Sequence, residues 1–205
     1  MKKSVLFICF SLLFATIYSQ DKVSNESIDS KNAIGIYSNI GICEITGHQY
    51  HTNIVNAHGQ EVFIYGLKYI RSVSPKLKIE YGISYAKYTV VDLFTGDLSS
   101  YFEGREYLIL ISVPIIFKYY LPKNYYLSGG TMLDLVPWRN NWIFTESQNG
   151  IGFCIGAGKE IMIKRFLLYV EPNLDLHALI PFSGYLSQQK FFVPGLKIGI
   201  NYKLN

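Results

Sequence analysis

The chain has 205 residues, of which 49% are hydrophobic, 16% are aromatic and 17% are charged, and its formal net charge is +4. This length fits a single domain, and the small net charge predicts no nucleic-acid partner. Beyond the N-terminal segment, no stretch approaches the roughly 20 apolar residues that a membrane-spanning helix needs. A membrane-embedded form of this chain therefore has to cross the bilayer with strands.

The first 20 residues have the pattern of a secretory signal peptide. Two lysines precede an apolar run over residues 5–17, and polar residues follow it. The run has about 13 residues, which is short for a bilayer core about 30 Å thick. We predict cleavage near Gln20, a mobile tail over residues 21–31 and a barrel domain over residues 32–205.

Eight segments of alternating apolar and polar residues follow the tail. Each can supply the roughly 9 to 11 residues that a tilted membrane strand needs. Their connections are alternately long and short, as in outer-membrane barrels, which have long loops on one side and short turns on the other. The predicted strands span residues 32–43, 61–72, 76–91, 105–121, 124–136, 150–163, 165–179 and 190–204.

The third segment shows the alternation most clearly. Leu77, Ile79 and Tyr81 fall on one face, and Lys78 and Glu80 fall on the other. A membrane barrel is apolar outside and polar inside, so we predict an all-β fold, an eight-stranded antiparallel up-and-down transmembrane β-barrel. A soluble lipocalin-like barrel is the alternative, and it would reverse these faces to enclose an apolar ligand.

Three prolines, Pro114, Pro172 and Pro194, fall inside predicted strands. Proline has no backbone N–H to donate to a neighbouring strand. We therefore expect a β-bulge at each of these positions. Because a bulge reverses the alternation beyond it, the facing of the residues after Pro114 stays open at this point.

Two runs around the fourth and fifth segments resemble a known family. They are SVPIIFKYY at 112–120 and YYLSGG at 125–130, and the glycine-rich run 150–158 and the run 195–202 extend the likeness. Together they resemble the PorT-like outer-membrane β-barrels that are common in Bacteroidetes. The resemblance implies an eight-stranded barrel and, for most members, no established activity, although one branch is associated with protein secretion.

A set of charged residues shares the predicted inward face. Side chains nearly fill the interior of an eight-stranded barrel, and an unpaired charge there is costly. We interpret the set as ion pairs that plug the lumen, with a conducting pore or a catalytic network as the alternative. The set comprises Lys68, Lys78, Glu80, Asp134, Glu160, Glu171, Asp175, His177 and Lys197.

Two groups of residues are candidates for chemistry. Asp175 and His177 share one strand face, so a carboxylate-oriented histidine could act as a base in a lipid-modifying enzyme. His48, His51 and His58 lie in the first long connection and could meet at a transition metal. Their spacing matches no metal motif, so we expect a solvated loop and no cofactor.

The second long connection is rich in large apolar side chains, Phe94, Leu98, Tyr101 and Phe102. Exposed apolar groups of this kind are typical of interaction surfaces. We expect a monomer that resides in outer-membrane lipid after export, with a structural or surface-binding role. Its expected partner at the outer loops is a surface protein or a glycan.

Overall fold

The computed structural model describes residues 31–46, 54–95, 101–139, 148–182 and 189–204, and at residues 54–59, 92–95, 101–106 and 138–139 it describes the backbone. The predicted signal peptide, all but the last residue of the predicted tail, His48, His51 and Leu98 lie outside the described residues. In the described ranges, no helix combines the length and apolar character needed to span a membrane.

The described residues form nine strands and one short 3₁₀ helix, Pro122–Asn124. The three-residue β2 continues β1 beyond Cys43, since both pair with β9 in one register. Eight long strands therefore build the wall. The strands are β1 Asn32–Ile42, β2 Glu44–Thr46, β3 Ile54–Ser74, β4 Leu77–Thr95, β5 Tyr101–Tyr120, β6 Tyr125–Arg139, β7 Gly150–Ile163, β8 Phe166–Pro181 and β9 Lys190–Leu204.

The sheet closes on itself because β1 pairs with both β3 and β9. A row of paired residues that starts at Phe166 and crosses every strand returns to β8 at Leu176, ten positions later (176 − 166 = 10). This offset corresponds to a strand tilt of roughly 40°. The prediction of a closed eight-stranded antiparallel barrel is confirmed.

The two faces of the wall follow the predicted alternation. On β4, the side chains of Tyr81, Ile83 and Tyr85 are exposed on the outside, whereas Lys78 and Glu80 are buried inside. Successive side chains of a strand point to opposite faces. The apolar face is therefore the outer surface, and the charged face lines the lumen.

The expectation of a bulge at each in-strand proline is wrong. The ladder beside Pro114 pairs Tyr81 with Ile115 and resumes at Ser84 with Ser112, in the same register. The ladders beside Pro172 and Pro194 show the same kind of gap without a shift. The missing N–H interrupts one ladder locally, while the other neighbouring strand holds the backbone in place. The break between β1 and β2 is the gap opposite Pro194.

Most of the irregular pairings lie near the loop end instead, although β3 and β4 also shift register beside the turn at Pro75. The register of β7 with β8 shifts between Ile151 and Phe153, opposite Ala178. Ala178 has a φ of 49°, which is left-handed backbone. The register of β5 with β6 shifts between Ile109 and Ile111, at the level of Pro137. Bulges are common at barrel rims, where they terminate or redirect pairing.

The largest extensions beyond the predicted bounds are in β3, β4 and β5. β3 begins at Ile54, β4 ends at Thr95 and β5 begins at Tyr101, so the first two long connections are shorter than expected. The pairing of β3 with β1 ends at Glu61, and that of β5 with β6 ends at Leu108. Beyond these residues, β3, β4 and β5 continue to pair with one another as a three-stranded extension above the rim. The bounds predicted from side-chain alternation end before this extension.

Candidate functional site

The half of the lumen next to the short turns holds a chain of opposite charges. The Lys118 ammonium is fully buried and lies 2.9 Å from Glu80 Oε1 and 3.4 Å from Glu171 Oε2. Lys68 Nζ lies 3.1 Å from the same Glu80 oxygen, and Lys197 Nζ lies 3.3 Å from Glu171 Oε1. Each carboxylate thus bridges two ammonium groups, which offsets the cost of burying them.

Tyrosine rings complete the coordination of these charges. The Tyr126 hydroxyl donates to Glu171 Oε2 at 2.7 Å, and the centre of its ring lies 4.0 Å from Lys118 Nζ. The Tyr169 ring lies 3.9 Å from Lys68 Nζ. An ammonium over an aromatic face is stabilised by the ring quadrupole, most strongly where water is excluded. Lysines that lack a full set of oxygen acceptors are therefore stabilised in part by rings.

A second ion pair lies closer to the turns. Lys78 Nζ is 3.8 Å from Glu160 Oε2, and the Tyr120 hydroxyl donates to Glu160 Oε1 at 2.8 Å. Lys78 Nζ also lies 4.3 Å from the centre of the Tyr120 ring. All three side chains are buried, so this group closes the lumen at the turn end.

The loop half of the lumen contains a different polar group, centred on His177. Its Nδ1 lies 3.0 Å from Asp134 Oδ2, and its Nε2 lies 2.8 Å from the Tyr88 hydroxyl. Asp134 also accepts from the Ser112 hydroxyl at 2.6 Å and from the Ala178 amide at 3.3 Å. Both ring nitrogens of His177 are occupied, and the ring is 3% exposed.

The carboxylate that orients His177 is therefore Asp134, and the predicted pairing with Asp175 is wrong. The left-handed backbone at Ala178 aims an amide at Asp134, and this carboxylate reaches β8 over Gly152 of the intervening strand β7. Asp175 instead accepts from Asn39 Nδ2 at 3.3 Å. Asn39, Asp175 and His177 border an internal cavity of about 20 Å³, which is large enough for about one water molecule.

Apolar side chains fill the rest of the loop half. They come from β3, β4, β5 and β9 and from Cys43 between β1 and β2, and several have no exposed surface. This cluster packs around the Tyr88 ring, so the hydroxyl of Tyr88 faces His177 while its ring contacts hydrocarbon. The cluster comprises Cys43, Val62, Ile64, Ala86, Tyr88, Val90, Leu108, Leu110, Phe191 and Val193.

The structure places the other predicted site residues as follows. All nine charged residues of the predicted lumen set are buried inside the barrel. His58 lies on β3, and Phe94 pairs with Phe102 and Thr95 with Tyr101 on the extension of β4 and β5. Within the described ranges, no three His, Cys, Asp or Glu side chains converge as metal ligands.

Sequence reasoning missed the central cation, Lys118, together with its partners Tyr126 and Tyr169. The expected reversal at Pro114 left the facing of Lys118 undecided. The alternation in fact runs unbroken through Pro114 to Tyr120. If the alternation is continued through Pro114, Lys118 falls on the inner face. This continued alternation is the sequence signal that could have identified it.

Comparisons with known proteins give a fold likeness. No protein-family model matches the chain, and no curated protein does. The outer membrane protein OprG from Pseudomonas aeruginosa has a similar structure, with a TM-score of 0.51, 14% identity, and coverage of 86% of this chain and 97% of OprG. Ail, the attachment invasion locus protein of Yersinia pestis, matches with a TM-score of 0.41, 14% identity, and coverage of 84% and 99%. At this identity, the likeness to OprG shows the barrel fold alone.

Proposed function

We propose that this chain is a small outer-membrane β-barrel with a sealed lumen, which acts through its loop end. The sidedness of the wall carries the proposal. Apolar side chains are exposed on the outside of all eight long strands, while the charges are inside. In water such a wall would drive aggregation, whereas lipid accommodates it. One exposed residue from each strand illustrates this belt: Ile36, Leu67, Ile83, Phe117, Leu127, Ile155, Leu168 and Ile198.

The loops give the orientation. Outer-membrane barrels carry long connections outside the cell and short turns in the periplasm. The turns at Pro75, Lys123 and Lys164 are short. The first strand begins and the last strand ends on the same side of the barrel as these turns. We therefore assign the β3–β4–β5 extension to the cell exterior, after export by the predicted signal peptide.

The packing of the lumen supports a structural or binding role over transport or catalysis. Buried ion pairs and tyrosines fill the turn half, apolar side chains fill the loop half, and the cavity between them is about 20 Å³. This space is too small for an apolar ligand, which disfavours the lipocalin-like alternative. His177 is enclosed on both ring nitrogens, which disfavours the lipid-modifying enzyme.

The extension is the part of the loop end that best suits a partner. Among the described residues, the backbone of residues 101–107 on β5 pairs with β4 and with no strand on its other side. A free strand edge offers unpaired N–H and C=O groups to a partner. We propose that a surface protein or glycan binds there.

We also propose membership in the PorT-like family, on the runs 112–120 and 125–130. The structure packs these two runs against each other. Ile116 of the first run pairs with Gly130 of the second, and a methyl group at Gly130 would overlap the carbonyl oxygen of Ile115.

Heat-modifiability combined with membrane fractionation tests the membrane placement. We expect the protein in the outer-membrane fraction, with a gel mobility that changes on boiling, since a closed barrel stays folded in detergent. Recovery as a soluble periplasmic protein without a mobility change would refute the proposal.

Planar-bilayer recording tests whether the lumen is closed. We expect no steady ion conductance through the reconstituted barrel.

Replacing residues 93–103 with an Asn-Gly turn tests the binding role, because Asp92 and Gly104, which flank the new turn, already pair with each other. Asn-Gly favours the two-residue hairpin that would close β4 and β5 near the rim. We expect the shortened protein to keep its heat-modifiability but to lose binding to immobilised surface proteins or glycans that the intact protein binds. Equal binding by both proteins would remove the extension as the contact surface.

A further inference from the structure

Exposed cations collect at the turn end of the barrel. Each of the three tight turns carries an exposed lysine, Lys76, Lys123 or Lys164. Two exposed arginines accompany them, Arg71 near the end of β3 and Arg165 at the start of β8. The turn end therefore presents a ring of positive charge.

Among the side chains that the structure describes, the exposed acids lie away from this ring. The carboxylates nearest to the turns, Glu80 and Glu160, are buried and paired inside the lumen. Exposed acids such as Glu44 and Glu61 lie at the opposite, loop end. The two ends of the barrel thus differ in charge, and the turn end fits an anionic partner.

An apolar groove on the outer wall leads to this ring. One section, of about 680 Å³, runs over β9, β1, β3 and β4 between Tyr202 and Ile83. A second section, of about 790 Å³, shares Ile36, Leu67 and Ile200 with the first and continues toward the loop end. The groove is lined almost entirely by hydrocarbon and aromatic side chains, which suits a lipid chain.

An arginine lies on each side of the turn end of the groove. Arg165 Nη1 lies 3.3 Å from the Tyr202 hydroxyl, and Tyr202 is part of the groove wall. Arg71 is the next outward residue after Tyr69, which lines the groove on β3. Arginine is suited to phosphate because its planar guanidinium donates two parallel hydrogen bonds.

We propose that an anionic glycerophospholipid of the periplasmic leaflet binds at this place, with one acyl chain in the groove and its phosphate between Arg71 and Arg165. This inference rests on the membrane placement proposed above. Aromatic rings beside the cations fit the level of the headgroups, where Tyr and Trp are enriched. Lys159, for example, extends over the Tyr125 ring with 5.1 Å between Nζ and the ring centre.

Native mass spectrometry of the folded protein in a non-ionic detergent tests the inference. Phosphatidylglycerol and phosphatidylcholine with identical acyl chains are titrated separately. We expect at least one molecule of phosphatidylglycerol to bind, with an affinity more than tenfold higher than that of phosphatidylcholine. The double variant Arg71→Gln/Arg165→Gln should lose about 25-fold in phosphatidylglycerol affinity, at roughly fivefold for each cation near an anionic surface.

The matched control is Lys87→Gln/Lys190→Gln, which removes the same charge near the loop end. We expect this variant to keep the wild-type affinity. Equal affinities for the two lipids, or equal losses in both double variants, would overturn the inference. Displacement of the lipid by an equimolar amount of inorganic phosphate would indicate a free-anion site and would also overturn it.

The band shift on boiling separates the two proposals. If the protein folds in vesicles of either lipid but binds both lipids equally, the proposed membrane placement stands and the proposed lipid site is refuted. If the protein shows no heat-modifiable form in either lipid, the membrane placement itself is refuted.

Discussion

The two halves of the lumen are filled by different chemistry on the same eight strands. In the turn half, Lys118 and its neighbours form a continuous chain of ion pairs. In the loop half, residues such as Leu110 and Phe191 pack as hydrocarbon with no exposed surface. The difference shows that alternation specifies which side chains point inward but leaves open how they are stabilised there. A charged filling depends on specific partners, whereas an apolar filling depends on volume.

The first and largest expected effect comes from breaking the charged half at its centre. Lys118→Met leaves the Glu80 and Glu171 carboxylates buried with one cation fewer. We expect a loss of about 3–5 kcal/mol in the free energy of unfolding, the usual cost of removing one member of a buried pair. Urea unfolding in lipid vesicles, followed by the band shift, measures it.

The control for this variant restores the charge balance. In Lys118→Met/Glu171→Gln one cation and one carboxylate leave together, so we expect part of the lost stability to return. A single variant within about 1 kcal/mol of the wild type would contradict the importance of the pairs, because this is the range of exposed ion pairs.

A cavity in the apolar half should cost somewhat less. Leu110→Ala removes buried hydrocarbon at a site with no exposed surface, and we expect a loss of about 3 kcal/mol. Raising the salt concentration should leave this loss unchanged, since no charge is involved. The outward Leu133→Ala serves as the control. An equal loss in both variants would mean that the loop half is not a packed core.

A pair of adjacent glycines tests how closely the wall packs where the two halves meet. A methyl group at Gly130 would overlap the carbonyl oxygen of Ile115, whereas one at Gly129 would meet nothing closer than 3.8 Å. We expect Gly130→Ala to lose about 1–3 kcal/mol by overpacking and Gly129→Ala to unfold near the wild-type midpoint. Equal midpoints for the two variants would disprove the close approach of β5 and β6.

The smallest expected effect concerns the link between the halves. Tyr88→Phe keeps the ring in the apolar cluster but leaves His177 Nε2 without its hydrogen bond. We expect a loss of about 1–2 kcal/mol, the cost of one buried unsatisfied group. Tyr85→Phe, on the outer wall, is the control and should change stability less. A loss in Tyr85→Phe that equals or exceeds the loss in Tyr88→Phe would argue that the hydroxyl at His177 contributes little.

Sequence reasoning reached the barrel and most of the charged half because both follow from local alternation. Lys78 and Glu80 sit two apart on a clean strand, so their shared face could be read directly. The partner of His177 could not be predicted, since Asp134 lies two strands away and its level relative to His177 depends on the registers of β6 with β7 and of β7 with β8. The inward facing of Lys118 was not predicted, because we expected the proline at position 114 to shift the register. The extension of β3, β4 and β5 was not predicted, because it is defined by pairings between strands, which alternation within one strand does not specify.

The seam between the first and last strands has a consequence for how the protein is made. Asn32 pairs with Leu204, so the final ladder joins residues 172 positions apart (204 − 32 = 172). Such remote pairing is slow to form, and the wall cannot close before the last strand has been synthesised. Until that moment both terminal strands present open edges that can pair with other chains. We therefore expect the chain to need a holding chaperone from the ribosome to its insertion site, with closure of the β1–β9 seam as the event that releases it.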